Sequence, residues 1–299
     1  MSNSTIKNNS EILFIYDAKM TNPNGDMDNE NKPRMDYDTD TNLVSDVRLK
    51  RYLRDYFEDH LHLPIFITQN AENAKERGKQ LKAEGKTHKD LIDCRMFGAV
   101  FAEEKANLHL TGPIQFNWGY SLNPVELNES NTITSSFSSG EGVGKDYRVK
   151  YSLIAFSGGI NAHVAEETNL TEQDLQIFDQ AMIKSIPLNR TRSKIGQTPR
   201  LYLRVELIDK NVVLKDFREY LNLRYKTENE NKYMVRDITG ISLDIARLNS
   251  YLKENDRLIS GIRYWKDDAL VIDGWEELSS QFQDKLKLVH IDIDIGSQS

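Results

Sequence analysis

Asn42-Leu-Val-Ser-Asp-Val-Arg-Leu-Lys-Arg-Tyr-Leu-Arg-Asp-Tyr-Phe57 is the stretch on which the reading of this chain turns. The spacing of Leu49, Leu53, Tyr56 and Phe57 predicts one apolar helical face. Ser45 is the expected N-cap, because its hydroxyl can accept from a free N–H of the first turn. Arg48, Lys50 and Arg51 crowd the first two turns, and Arg54 follows. A helix N-terminus already carries partial positive charge, so each cation there is unfavourable by about 0.3–1 kcal/mol. A docked anion reverses the sign, since free N–H groups, dipole and side-chain cations then act together on it. Taken alone, the pattern reads more readily as a solvated basic face.

Outward from this helix, the totals bound the possibilities. The 299 residues suffice for one large domain or two small ones. Formal net charge is −7, from 39 basic and 46 acidic residues, which argues mildly against a nucleic-acid binder unless the cations are clustered. Cys94 is the single cysteine, which excludes a disulfide framework and a cysteine-based zinc site. No apolar run approaches the roughly 18 residues of a membrane span, and the polar start lacks a signal peptide's apolar centre. A cytoplasmic protein with no membrane partner is expected.

Before the helix, Glu11–Lys19 reads as a buried strand, followed by a long loop rich in Asn and Asp. Beyond it, Gln69–Lys89 is polar, a solvated helix on an inserted lobe, and Asp90–Phe101 restores apolar content. Leu108–Leu122 predicts one or two strands. Tyr147–Phe156 predicts another, with Gly158-Gly159 as a turn into a partner strand beginning at Ile160. Thr171 is the expected cap of a helix through Ile186. Leu201–Ile208 alternates like a strand. Helices near Leu214–Leu223, Leu243–Lys253 and Trp275–Leu286 are expected, with strands at Leu258–Trp265 and from Lys287 to Ile295. Set apart from the lobe, the order is strand, helix, strand, strand, helix, strand. That is the ferredoxin-like order of RNA-recognition domains, so the fold class is α+β.

A second basic segment runs from Arg190 to Arg204. Arg190, Arg192, Lys194, Arg200 and Arg204 alternate with Thr191, Ser193, Gln197 and Thr198, without an acidic residue. Cations with short hydroxyls and amides suit phosphate and sugar contacts, though a plain basic surface hairpin fits the composition equally. Other motifs fail on spacing. Gly140–Lys145 lacks the glycine and hydroxyl a phosphate loop needs at positions 139 and 146. The Asp26 and Asp36 segments lack the glycine and glutamate of a calcium loop. The histidines have no zinc-hydrolase spacing, and no nucleophile elbow is present.

Several segments together carry a family likeness: Tyr16–Asp26, Lys32–Arg34, Ser45–Arg51, Arg95–Phe101, Thr111–Trp118, Asp146–Ile154 and Thr191–Tyr202. In these the chain resembles the backbone subunit of the type I CRISPR surveillance complex, Cascade, in a form similar to subtype I-B. The resemblance implies an RNA-recognition-like palm over 11–64 and 147–299, an inserted helical fingers lobe over 65–146, and a thumb hairpin over 187–200. It implies a guide CRISPR RNA-binding scaffold whose copies form a filament along the guide. The partners it implies are other Cascade subunits and target DNA, the latter read through the guide, in antiviral defence. Asn22, Ser45, Arg48, Lys50, Arg51, Arg54, Arg192, Lys194, Gln197 and Arg200 are the residues expected on the RNA. No catalytic residue, metal or cofactor is expected. The alternative is a metal-dependent ribonuclease, as in type III relatives, using Asp26 or Asp36.

Overall fold

The computed structural model describes residues 4–102, 107–129, 132–134 and 143–291. Strand β1 (Ser10–Thr21) leads through a long loop to β2 (Thr41–Val44) and helix α1 (Asp46–Asp55), which continues as a π-turn over Tyr56–His60. Next come α2 (Ala74–Ala83), α3 (Ile92–Phe97), β3 (Gly98–Ala102), β4 (Asn107–Thr111), β5 (Ile114–Phe116) and β6 (Gly119–Ser121). The long strand β7 (Val149–Ile160) is followed by α4 (Ala162–Thr168), α5 (Glu172–Leu188) and β8 (Gln197–Leu207). The C-terminal third holds β9 (Asn222–Tyr225), β10 (Ile241–Asp244), α6 (Ala246–Glu254), β11 (Ile259–Lys266), β12 (Ile272–Asp273), α7 (Trp275–Gln281) and β13 (Leu286–Leu288).

The main sheet runs β13-β11-β8-β1-β7-β6-β2, with β5 also paired to β7. β1 lies antiparallel between β7 and β8. Both sheet faces are covered, so β1 reads as a near-continuous apolar run. Ile12, Phe14, Tyr16 and Ala18 face the layer of α1, α3, α4 and α5, while Leu13 and Ile15 face the C-terminal third. Helix α1 forms where its pattern places it. Ser45 Oγ accepts from Arg48 N at 3.3 Å, and Leu49, Leu53 and Phe57 are fully buried. Each such side chain contributes about 1.5–3 kcal/mol through burial. Helix α5 starts at a capping box between Thr171 and Asp174, as expected.

The remaining expectations are corrected in specific places. Gly158-Gly159 is not a turn: β7 runs straight through both, and Ala162–Thr168 is helical. The close approach of β5 explains Gly158, since a Cβ there would meet the Phe116 ring at 2.5 Å. Residues 187–200 are not a hairpin. They comprise the end of α5, a loop over 189–196, and the start of β8 inside the main sheet. The 65–146 insertion does not separate as one unit, because β5 and β6 pair with β7. A small separate core of Phe66, Leu81, Leu91 and Cys94 marks the part that does stand apart. Leu214–Leu223 holds a 3-10 turn over Phe217–Tyr220 that runs into β9, rather than a helix. The Leu243–Lys253 helix begins only at Ala246, after β10. The final strand is short, Leu286–Leu288, and its expected continuation past 291 lies outside the described residues, as does the first half of the 140–145 motif. No helix among the described residues is long and apolar enough to cross a membrane.

Candidate nucleic-acid interface

Three segments converge at one end of β1: the loop at Asn22–Asn24, the N-terminus of α1 and the loop over 189–196. Asn24 Oδ1 accepts from both N and Oγ of Ser45, each at 2.9 Å, and so fixes the first turn of α1 to the loop. Asn22 N donates to Ser193 O at 3.0 Å and Lys19 N to Gly196 O at 2.9 Å, which docks the second loop beside β1. Gly196 has φ 108°, and a Cβ there would lie 2.7 Å from Lys19 O, so the crossing needs glycine. Lys194 Nζ then donates to the carbonyls of Asn22 and Pro23.

The expected grip residues divide into two groups. Lys50, Arg51, Arg54 and Arg200 are occupied within the fold. Lys50 Nζ donates to Asp46 at 3.1 Å and to Gln115 Oε1 at 2.8 Å, and it is buried. Arg51 pairs with Asp55 and donates to Ile67 O at 2.9 Å. Arg54 Nε lies 3.0 Å from fully buried Asp93. Arg200 bridges Asp17 at 2.9 Å and Asp267 at 2.7 Å. Arg204 is likewise buried in a bidentate pair with Asp179. Arg54, Arg200 and Arg204 face inward because a carboxylate distant in sequence meets each there, while Lys50 and Arg51 pair with a carboxylate one helical turn away and with an oxygen from a distant segment.

The second group is brought together at the convergence. Arg48 stacks 3.9 Å over the Tyr52 ring and has no carboxylate partner among the described residues. Tyr52 Oη donates to Gln197 Oε1 at 3.0 Å. Lys194 meets only carbonyls. Burial, reinforced by the charge of Arg48, lowers the Lys194 amine to about 7. Around this pair, Tyr16 Oη, Thr21 Oγ1, Asn22 Oδ1, Arg48 Nε and Gln197 Nε2 are buried without a hydrogen-bond partner. Arg192 stands outside, 67% exposed, with Asp146 at 3.2 Å. Arg148 ties this rim together, donating to Met20 O and Arg192 O. Asn24, Tyr52 and Arg148 were not anticipated. The Asn-Pro-Asn-Gly run signalled a turn, but nothing in it identified which helix that turn caps.

The two carboxylates of the alternative reading are also engaged. Asp26 lies 3.2 Å from Arg34, and Asp36 accepts from Asp38 N and Thr39 Oγ1 within its own turn. No group of three metal-ligating side chains is present among the described residues.

The sequence pattern of the family described as "CRISPR-associated protein Cas7" matches residues 8–246, a span that holds every residue of this convergence. The chain belongs to the Cas7 family. A protein of Haloferax volcanii described as "CRISPR-associated protein Cas7" is 31% identical over 314 residues, covering 91% of each chain. A chain of a solved "CRISPR RNA-guided surveillance complex" superposes with a TM-score of 0.54 at 17% identity, over 91% of this chain and 97% of that one. A chain of a "CRISPR RNA-guided surveillance complex, pre-nicking" gives 0.51 at 13%, over 93% and 100%. At those identities the likeness establishes a shared fold, of mixed α and β elements, and nothing finer.

Proposed function

We propose that this Cas7 chain is a non-catalytic scaffold that holds the backbone of a guide RNA and stacks in copies along it. The observation that carries the reading is the pair Arg48 and Lys194, two cations without a counter-carboxylate at the capped N-terminus of α1. An RNA phosphate supplies the missing charge, and the α1 dipole adds to its stabilisation. Backbone contacts tolerate any guide sequence, so pairing with target DNA is left to the guide itself. The similar solved chains come from RNA-guided surveillance complexes, which favours partners of that kind, including other Cascade subunits.

The sheet order β8-β1-β7-β6, with α1 and α5 on one face, follows the split βαβ pattern of RNA-recognition domains and supports the palm reading. The 189–196 loop takes the thumb's place. Its exposed Arg190, Arg192 and Ile195, with Leu188 at the end of α5, offer apolar and basic contacts to a bent RNA strand. Scaffold rather than nuclease is favoured because Asp26 and Asp36 already spend their oxygens on Arg34 and on a local turn. The test is to mix the protein with unrelated RNAs of increasing length and weigh the complexes by analytical ultracentrifugation. Copies bound should rise in proportion to length, whatever the sequence. A fixed single copy, or intact RNA lost on adding Mg²⁺, contradicts the proposal.

A further inference from the structure

We propose that guide binding by this chain is proton-coupled: docking an RNA phosphate beside Arg48 and Lys194 draws one proton from solvent onto the Lys194 amine. This rests on the placement of the RNA backbone at that convergence. The geometry is that of a cation site built without its anion. Lys194 Nζ is held by two backbone carbonyls, of Asn22 and Pro23, which accept more strongly from the charged amine but carry no formal charge to pair it. Among the described residues, no element packed against it brings a free carboxylate. From α1 it faces Arg48, while Asp46 is paired to Lys50. From β1, Lys19 is turned to Asp237. From the loop after β1, Asp26 is paired to Arg34. From its own loop come Arg190 and Arg192, and beside β7 Asp146 is shared between Arg148 and Arg192. Like charge and burial therefore act on the amine against these two carbonyl dipoles alone until an anion arrives.

The sign follows from linkage. In the free protein the amine discharges as pH rises through about 7, below the ordinary lysine value. A phosphate favours the charged form and restores the proton. Affinity is then greatest below about pH 7 and falls above it, by at most about tenfold per pH unit for one proton. Free-protein stability moves the other way, rising above about pH 7, because the unfolded chain keeps the proton that the fold releases.

Glu11 is a second group shifted into the same range. Burial pushes the Glu11 carboxyl up to about 7. It accepts from Leu214 N at the opposite end of β1, about 30 Å away at a strand's rise of about 3.3 Å per residue. Glu11→Gln is thus the control.

The experiment measures affinity for a labelled RNA by fluorescence anisotropy across neutral to mildly alkaline pH. It also measures binding heats in two buffers of different ionisation enthalpy, for the wild type, Lys194→Arg, Lys194→Met and Glu11→Gln. Wild type and Glu11→Gln should lose affinity with rising pH and take up about one proton per bound copy at pH well above the amine's value. Lys194→Arg should bind tightly with no such pH dependence, and Lys194→Met should bind more weakly and equally flatly. A wild type that binds RNA without pH dependence, or a dependence that survives in both Lys194 variants, overturns the coupling while leaving the RNA reading intact. A wild type that binds no RNA at any pH overturns the RNA reading itself.

Discussion

Arg54 gives the sharpest test of how the basic face of α1 divides between fold and function. Its Nε lies 3.0 Å from Asp93 Oδ2, and the two side chains are 8% and 1% exposed. Asp93 also accepts from Phe66 N at 2.7 Å and Ile67 N at 3.2 Å, so one carboxylate joins α1, α3 and the 66–67 turn. The guanidinium lies 5.3 Å from the Phe97 ring. Arg54→Met keeps the aliphatic bulk and removes the charge. Breaking a buried pair from one side costs about 3–5 kcal/mol, and the two backbone donors that remain place this case near the lower end. At about 2–4 °C per kcal/mol for chains of comparable size, the midpoint should fall by roughly 6–12 °C. Thermal unfolding followed by circular dichroism measures this, and adding Asp93→Asn should recover part of the loss. RNA affinity of Arg54→Met, measured well below its midpoint, should match the wild type. An unchanged midpoint with weakened RNA binding would refute the reasoning, since Arg54 would then be a phosphate ligand and not a strut.

Other expectations follow from the same geometry. Lys50→Ala with Arg51→Ala should lower stability, because Gln115 and Asp55 lose partly buried partners at about 1–3 kcal/mol each, which urea unfolding reads directly. Gly158→Ala should destabilise by about 1–3 kcal/mol, as its methyl would press on the Phe116 ring; a neutral result in the same assay would mean that β5 can move away. Thr171→Ala removes the α5 capping box and should lower stability by about 0.5–2 kcal/mol, with no change in RNA affinity.

Where local chemistry decides structure, the sequence was readable. Ser45 and Thr171 mark helix starts because a cap acts within three residues, and both helices begin there. β1 was readable because burial on both faces leaves an uninterrupted apolar run. Reading failed where a distant partner decides. Gly158-Gly159 resembles a turn until Phe116, some forty residues earlier, fills the space a side chain would need. The basic residues of α1 looked alike in sequence, yet Asp93 of α3 claims Arg54 and Gln115 of β5 claims Lys50, both from far along the chain. Arg48 and Lys194 remain because, among the described residues, no carboxylate folds onto them, and an absence of that kind cannot be seen in a linear pattern. The hairpin over 187–200 came from the family resemblance, and the chain there makes a loop over 189–196 instead. Pro199 sits within β8, where the pairing with β1 shifts register.

The central claim is that Arg48 and Lys194 hold guide phosphates, and counterion release measures this most directly. Binding constants for one RNA are determined over a range of salt concentrations, near neutral pH, for the wild type and for Arg48→Gln with Lys194→Met. Each lost phosphate contact lowers the slope of log K against log salt by about 0.7 for a single strand. The double variant should bind more weakly, with a slope shallower by roughly 1–1.5. A double variant whose slope and affinity equal those of the wild type would contradict the account and place the RNA elsewhere on the chain.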